Sequence, residues 1–263
     1  FFAVSTSVFR QRPVMPCLGN HDDQDGLGAG MYLELFGLPR NAPDGIEPER
    51  MYSFEYGNAL FLILDIAAPL ETQAAWMEAR LADSSATWKF AMVHFPPYAP
   101  SEDYPRMRAV WGPVFDTYHV DMVFSGHVHH YLRSKPMRDG KPAASPAEGT
   151  IYLVSVVIPS RDWSGGGPEY ADVIFSGPAL YQTLRIDGNT LDGRTTFVVI
   201  GRVRVEPEWQ NGLRLPHLVW KGDLHRTAYG RLSRVQCEVE IVPRQSGEFG
   251  REFILVLRQH PIE

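Results

Sequence analysis

Apolar positions along this chain recur with two different periods, and the switches between them predict its elements. Tyr52-Ser53-Phe54-Glu55-Tyr56 alternates with the period of a strand, Gly57-Asn58 supplies a two-residue turn, and Leu60–Ile66 continues as an apolar run. That arrangement predicts a β-hairpin. Ala29–Phe36 has helical spacing and stops at Gly37-Leu38-Pro39, while Glu71–Ala82 interleaves Ala74, Ala75, Trp76 and Leu81 with polar positions as an amphipathic helix does. A strand at Lys89–Val93, a helix at Met107–Tyr118 and a strand at Val120–Phe124 follow. With a short apolar strand at Pro13–Leu18, ending at Gly19, the first part of the chain reads as strands alternating with helices.

Beyond Gly126 the texture becomes β-leaning. Arg138–Gly149 reads as a Pro/Gly/Ala-rich loop, Thr150–Ile158 as a β-branched strand and Ser164–Pro168 as a Gly-rich loop. Strands are expected at Leu180–Ile186 and Thr195–Val205, with Asp187-Gly188-Asn189 as a turn, then around Leu218, at Val235–Val242 and at Phe253–Leu257. The pattern therefore gives an α/β domain over residues 1–205 and a β-rich tail over 206–263.

Composition narrows the class further. Of 263 residues, 44% are hydrophobic and 21% charged, enough for a core and unlike a disordered chain. The formal net charge of −6 gives no broad attraction to nucleic acid, and no apolar run is long enough to span a bilayer. The sequence carries no signal of oligomeric state. Cys17 and Cys237 form neither a disulfide framework nor a CxxC metal site. The chain opens on Phe1-Phe2-Ala3-Val4, with no initiator Met and no signal-peptide pattern, so a segment upstream is expected.

The candidate chemistry lies just past three strand ends. Gly19-Asn20-His21-Asp22 follows Pro13–Leu18, His94 follows Lys89–Val93, and Gly126-His127-Val128-His129 follows Val120–Phe124. In an open α/β sheet, loops at the carboxyl edge converge on one crevice. A lone His after a strand is usually solvated or hydrogen-bonded, but His127 and His129, at i and i+2, share a face if the segment is extended. Three segments aimed at one place favour an ion over the bland reading. His119, His217, His225 and His260 lack such company and read as structural or solvated. Tyr98, Tyr104, Arg106 and Trp111 read equally well as pocket lining or as packing and rim.

Gly19-Asn20-His21-Asp22, Val93-His94-Phe95-Pro96-Pro97-Tyr98 and Gly126-His127-Val128-His129, in this order and spacing, resemble the later part of the calcineurin-like metallophosphoesterase signature. The hairpin at Tyr52–Asn58 and Leu62-Ile63-Leu64-Asp65 is most similar to the purple acid phosphatase branch. The resemblance implies a four-layer fold, two mixed sheets sandwiched by helices, with the first βαβ portion absent. It implies metal-dependent hydrolysis of a phosphate ester by a dinuclear centre of iron, zinc or manganese, with a metal-bound hydroxide as nucleophile. By the same resemblance Asn20, His94 and His127 bind one metal and His129 the other. His21 stands beside the phosphoryl oxygens as acid or charge stabiliser, and Asp22 orients His21 or caps its own loop. A secreted or periplasmic setting is favoured by the resemblance alone.

The sequence also departs from that signature. An Asp-x-His and a Gly-Asp should precede Asn20, yet residues 1–19 contain no Asp, Glu or His. Asn20, His94, His127 and His129 are all neutral donors, whereas two adjacent divalent ions need anionic oxygens. One ion is therefore expected for this chain, with Asp22, Asp23 or Asp25 as the nearby acids. Three readings stay open: part of a dinuclear phosphoesterase, favoured because Asn20-His21-Asp22 is intact; a mononuclear metal- and anion-binding module; or an interaction function in the β-rich tail.

Overall fold

A computed structural model describes residues 10, 12–22, 28–155, 167–175 and 179–201, and the strands at 203–210, 213–220, 237–243 and 253–259. Asp23, Asp25, His225 and His260 lie outside the described residues. The chain packs as two compact units, Phe1–Val154 with Gly165–Ile174, and Ser155–Ser164 with Phe175–Glu263.

The first unit is built on a seven-stranded mixed sheet. Its strands are β1 (Tyr52–Tyr56), β2 (Ala59–Ile63), β3 (Trp88–Met92), β4 (Met122–Ser125), β5 (Tyr131–Ser134), β8 (Ile151–Ser155) and β9 (Ala171–Phe175), in the spatial order β1-β2-β3-β4-β8-β5-β9. The expected hairpin is present: β1 and β2 pair antiparallel with Tyr56 opposite Ala59. Gly57 turns the chain at φ 61°, a left-handed conformation that glycine adopts without penalty. From β2 through β3, β4 and β8 every pairing is parallel, so successive strands end at the same edge.

Parallel strands are buried on both faces. On one face Leu60, Leu62, Leu64, Ala91, Val93 and Val123 pack against Trp76, Met77 and Leu81 of α2 (Leu70–Asp83), and against Met107, Trp111, Val114 and Phe115 of α3 (Pro105–Tyr118). On the other, Ile63 and Tyr52 pack with Leu18, Leu38 and Tyr32 of the short helix α1 (Gly30–Leu35). Phe54, Phe61, Phe90 and Phe124 form a cross-strand aromatic row, with successive centroids 4.8, 5.1 and 6.1 Å apart. The helices start and stop as their sequences dictate: Pro105 opens α3 at a position that needs no N–H donor, and His119 closes it at φ 50°. No described helix is long and apolar enough to cross a membrane.

Pro13–Leu18 corrects one expectation, because it is not a strand. Pro13 and Pro16 remove two ladder donors within six residues. The Pro16 carbonyl instead accepts from the hydroxyls of Tyr32 (2.9 Å) and Tyr52 (2.7 Å), and Leu18 is fully buried. The loop at Arg138–Gly149 likewise contains a small antiparallel pair, β6 (Met137–Arg138) with β7 (Lys141–Pro142).

In the second unit, β10 (Ala179–Asp187), β11 (Thr190–Gly201), β14 (Cys237–Pro243) and β15 (Phe253–Gln259) form an antiparallel sheet in the order β10-β11-β15-β14. Strands β12 (Val203–Gln210) and β13 (Leu213–Trp220) pair separately. Gly188, at φ 55°, opens the two-residue turn between Asp187 and Thr190.

Candidate metal centre

The parallel pairing of β3 and β4 places two of the expected residues side by side. Their ladder runs on past the strand ends: Val93 N–H bonds to Phe124 O at 3.0 Å, and Gly126 N–H to His94 O at 3.0 Å. His94 and His127 therefore leave adjacent strands at one edge, and their rings meet edge to face at 5.2 Å. The loop after Leu18 delivers Asn20 to the same point. Its Oδ1 lies 2.7 Å from His94 Nε2 and 3.2 Å from His127 Nδ1.

This loop is held by its own polar groups and by a close backbone approach. Gly19 N–H bonds to Asp22 Oδ2 at 2.8 Å, and Asp22 N–H to Gly19 O at 3.1 Å. Asp22 thus turns its carboxylate to the backbone, the capping role open to it in the sequence. A Cβ on Gly19 would lie 3.0 Å from both Cε1 and Nδ1 of His94, so only glycine lets the loop pass this ring. His21 is exposed beside the cluster, and its charge and that of Asp22 both reach His94.

The Gly126-His127-Val128-His129 segment differs from its expected extended form. His127 has φ 65°, and Val128 N–H bonds to Gly126 O at 2.8 Å, the pattern of a γ-turn centred on His127. A left-handed histidine is strained, and such strain collects at functional sites. Because of it, His127 and His129 do not share one face of a strand. Val128 is buried with Ala99, Leu132 and Val154, while His129 is half-buried and its charge acts on the buried His130.

Burial, then the neighbouring His127, push His94 down to about 4, which leaves its ring neutral and its lone pair free for a ligand at ordinary pH. Cys17, three residues before Asn20, directs its thiol to Leu64 O (3.4 Å) and Met92 O (3.7 Å). Burial drives that thiol up to about 12, so it offers no thiolate.

The donors fit an ion of the kind this pattern suggests. Imidazole and oxygen ligands sit at ~2.0–2.2 Å from zinc-like ions, which places neighbouring donors roughly 2.8–3.6 Å apart. The separations of 2.7 and 3.2 Å lie near that range. Two imidazoles and one amide oxygen suit a single ion; among the described residues no group of three or more His, Cys, Asp or Glu side chains converges.

Sequence reasoning missed Glu102. Its Oε2 lies 3.1 Å from His127 Nε2 and also accepts from the Tyr104 hydroxyl. Tyr104 stacks on Phe95 at 5.3 Å, and Phe95 meets the His127 ring edge-on at 4.5 Å. The one sequence signal was that Glu102 and Asp103 are the only acids between His94 and α3. Of the other residues named as lining, Trp111 is core, with its Nε1–H on Leu70 O, and Arg106 is an exposed partner of Glu71. Tyr98 packs on Tyr152 and Tyr170, and with Arg108 and Asp116 it lines a cavity of about 290 Å³ that none of Asn20, His94 and His127 borders. His119 pairs with Asp121 at 3.5 Å, away from the cluster residues in its contacts.

Comparisons with known proteins match the first part of the chain. Residues 3–131 match the family model of the calcineurin-like phosphoesterases. The chain is 30% identical over 193 residues to an uncharacterized protein of Mycobacterium tuberculosis, covering 59% of this chain and 36% of that one. It is 40% identical over 133 residues to purple acid phosphatase 1 of Ipomoea batatas, covering 44% of this chain and 28% of the relative. Among solved structures, a purple acid phosphatase from yellow lupin (Lupinus luteus) seeds aligns with a TM-score of 0.47 at 18% identity, over 70% of this chain and 35% of that chain. The chain thus spans about a third of the length of the curated relatives it matches. Residues 3–131 are accordingly a calcineurin-like phosphoesterase domain, with purple acid phosphatases among its relatives.

Proposed function

We propose that this chain carries the metal- and phosphate-binding part of a hydrolase of phosphate esters, centred on Asn20, His94 and His127. The observation that carries the reading is the approach of Asn20 Oδ1 to His94 Nε2 and His127 Nδ1 from three separate segments. An ion bound there supplies Lewis-acid chemistry, lowering the pKa of a water and clamping phosphate oxygens. The chain's own residues supply the rest. Asn20, His94 and His127 hold the ion, and His21, exposed beside them, donates a proton to the leaving oxygen or stabilises charge on the phosphoryl group. Asp22 keeps the Gly19–Asp22 turn closed and so fixes where His21 projects.

A dinuclear centre, with His129 on the second ion, would need carboxylates in addition to these neutral donors. The neutrality of Asn20, His94 and His127 supports a second reading as a mononuclear metal- and anion-binding module. Elemental analysis and aryl-phosphate hydrolysis on the purified chain separate the two. The hydrolase reading expects about one ion per chain, loss of metal and turnover together in His127→Ala, and loss of turnover with metal retained in His21→Ala. A metal-loaded chain with no turnover above that of the His21→Ala variant leaves the binding module; no bound metal in the wild-type chain refutes both.

A further inference from the structure

We propose that Glu102 is a positioning residue for His127, holding the Nε2–H tautomer so that the Nδ1 lone pair faces Asn20 and His94. The proposal deepens the metal-site reading and rests on it for the part that concerns ion affinity. An ionised carboxylate can only accept, so the proton between Glu102 Oε2 and His127 Nε2, 3.1 Å apart, belongs to the imidazole. Nδ1 is then the ring's free acceptor, and it is the atom 3.2 Å from Asn20 Oδ1. Without an ion between them these two acceptors repel. The carboxylate restrains the ring against the rotation or tautomer change that would relieve the repulsion.

Glu102 is itself held. The same Oε2 accepts from Tyr104, whose ring lies nearly parallel to Phe95 (12°), and Phe95 stands against the His127 ring at 71°. Phe95, Tyr104 and Glu102, all in the loop that joins His94 to α3, thus close a ring of contacts with His127. This loop carries one ligand at its start and braces another near its end. The brace acts on a residue whose backbone is strained at φ 65°, where side-chain contacts must define the ring direction. Glu102 is too exposed, at 43%, for this hydrogen bond to serve mainly as a source of stability. A carboxylate partner on the far nitrogen of a ligating histidine typically changes metal affinity by about 10–100-fold.

The test uses the full chain, Co²⁺ as probe followed by its visible absorption, and the ¹⁵N spectrum of the imidazoles in the metal-free protein. Glu102→Ala is expected to weaken Co²⁺ binding about 10–100-fold and to shift the His127 signals away from the Nε2–H pattern. Glu102→Gln, which keeps an acceptor oxygen, recovers most of both effects, and Tyr104→Phe shows a smaller loss of the same kind. If His127→Ala abolishes Co²⁺ binding while Glu102→Ala leaves both affinity and spectrum unchanged, the positioning role is overturned and the metal site stands. If His127→Ala binds Co²⁺ as the wild type does, the metal reading fails. The metal-free spectrum then decides alone: an Nε2–H pattern lost in Glu102→Ala keeps the brace, and an unchanged spectrum removes it.

Discussion

Replacing Gly19 by alanine tests whether the site depends on the close passage of its first loop. At most positions with an ordinary backbone angle, Gly→Ala stabilises a protein by about 0.4–1 kcal/mol by restricting the unfolded chain. At Gly19 the sign should reverse. The new methyl would lie 3.0 Å from Cε1 and Nδ1 of His94, whereas carbon contacts settle near ~3.5–4.0 Å, so loop and ring must part by roughly 0.5–1 Å. Neither side yields easily: two hydrogen bonds close the Gly19–Asp22 turn, and Phe95 and His127 flank the ring. Overpacking of this kind costs about 1–3 kcal/mol. The displacement falls on the 2.7 Å approach of Asn20 Oδ1 to His94 Nε2 and lengthens it to roughly 3.2–3.7 Å. Metal affinity should drop along with stability. Urea unfolding and Co²⁺ titration of Gly19→Ala measure the two effects, with Gly112→Ala as control. Gly112 lies inside α3 with open space where its Cβ would go, so that variant should gain about 0.5–1 kcal/mol and bind metal normally. A Gly19→Ala chain as stable and as metal-avid as the wild type would refute the argument.

Other consequences of the structure are open to measurement. Tyr32→Phe or Tyr52→Phe alone should cost about 0.5–1.5 kcal/mol, but the double variant should exceed their sum, because it leaves the Pro16 carbonyl without either hydroxyl; additive losses in urea unfolding would show that water replaces them. Arg50 pairs at 2.7 Å with the fully buried Asp65, so Arg50→Ala should destabilise by about 3–5 kcal/mol and Arg50→Ala/Asp65→Asn by less. Burial raises the carboxyl pKa of Asp121, so the folded state is favoured when that group is protonated and loses this contribution as pH rises through the folded value. Asp121→Asn, which retains an acceptor for Lys89 N–H, should therefore be at least as stable as the wild type at pH 7, with a difference that narrows in acid; a clear loss at pH 7 would mean that the His119 pair outweighs burial.

Much of the fold was legible locally. The period of two at Tyr52–Tyr56, the Gly57-Asn58 turn and the amphipathic spacing of α2 and α3 are properties of short segments, and short-range sterics and burial enforce them wherever the segment sits. The failures are non-local. Pro13–Leu18 has the apolar content of a strand, but its two prolines leave it unable to pair, and the tyrosines that satisfy Pro16 come from elements 16 and 36 residues away. Strands β5 and β9 carried too weak a pattern to be read before their partners were known.

The site divides in the same way. Sequence alone determined which side chains are able to ligate, that Asn20, His94 and His127 follow three separate segments, and that all of them are neutral donors, because these are matters of chemistry and order. That β3 and β4 are parallel neighbours, which brings the His94 ring within 5.2 Å of the His127 ring, follows from long-range packing. Only the tertiary structure put a γ-turn at His127 in place of an extended pair with His129, and it returned Glu102 to the far nitrogen of that ring. A backbone at positive φ and a hydrogen bond between residues 25 positions apart, with a helix and a strand between them, have no periodic signature; both depend on side chains that only the folded chain brings together.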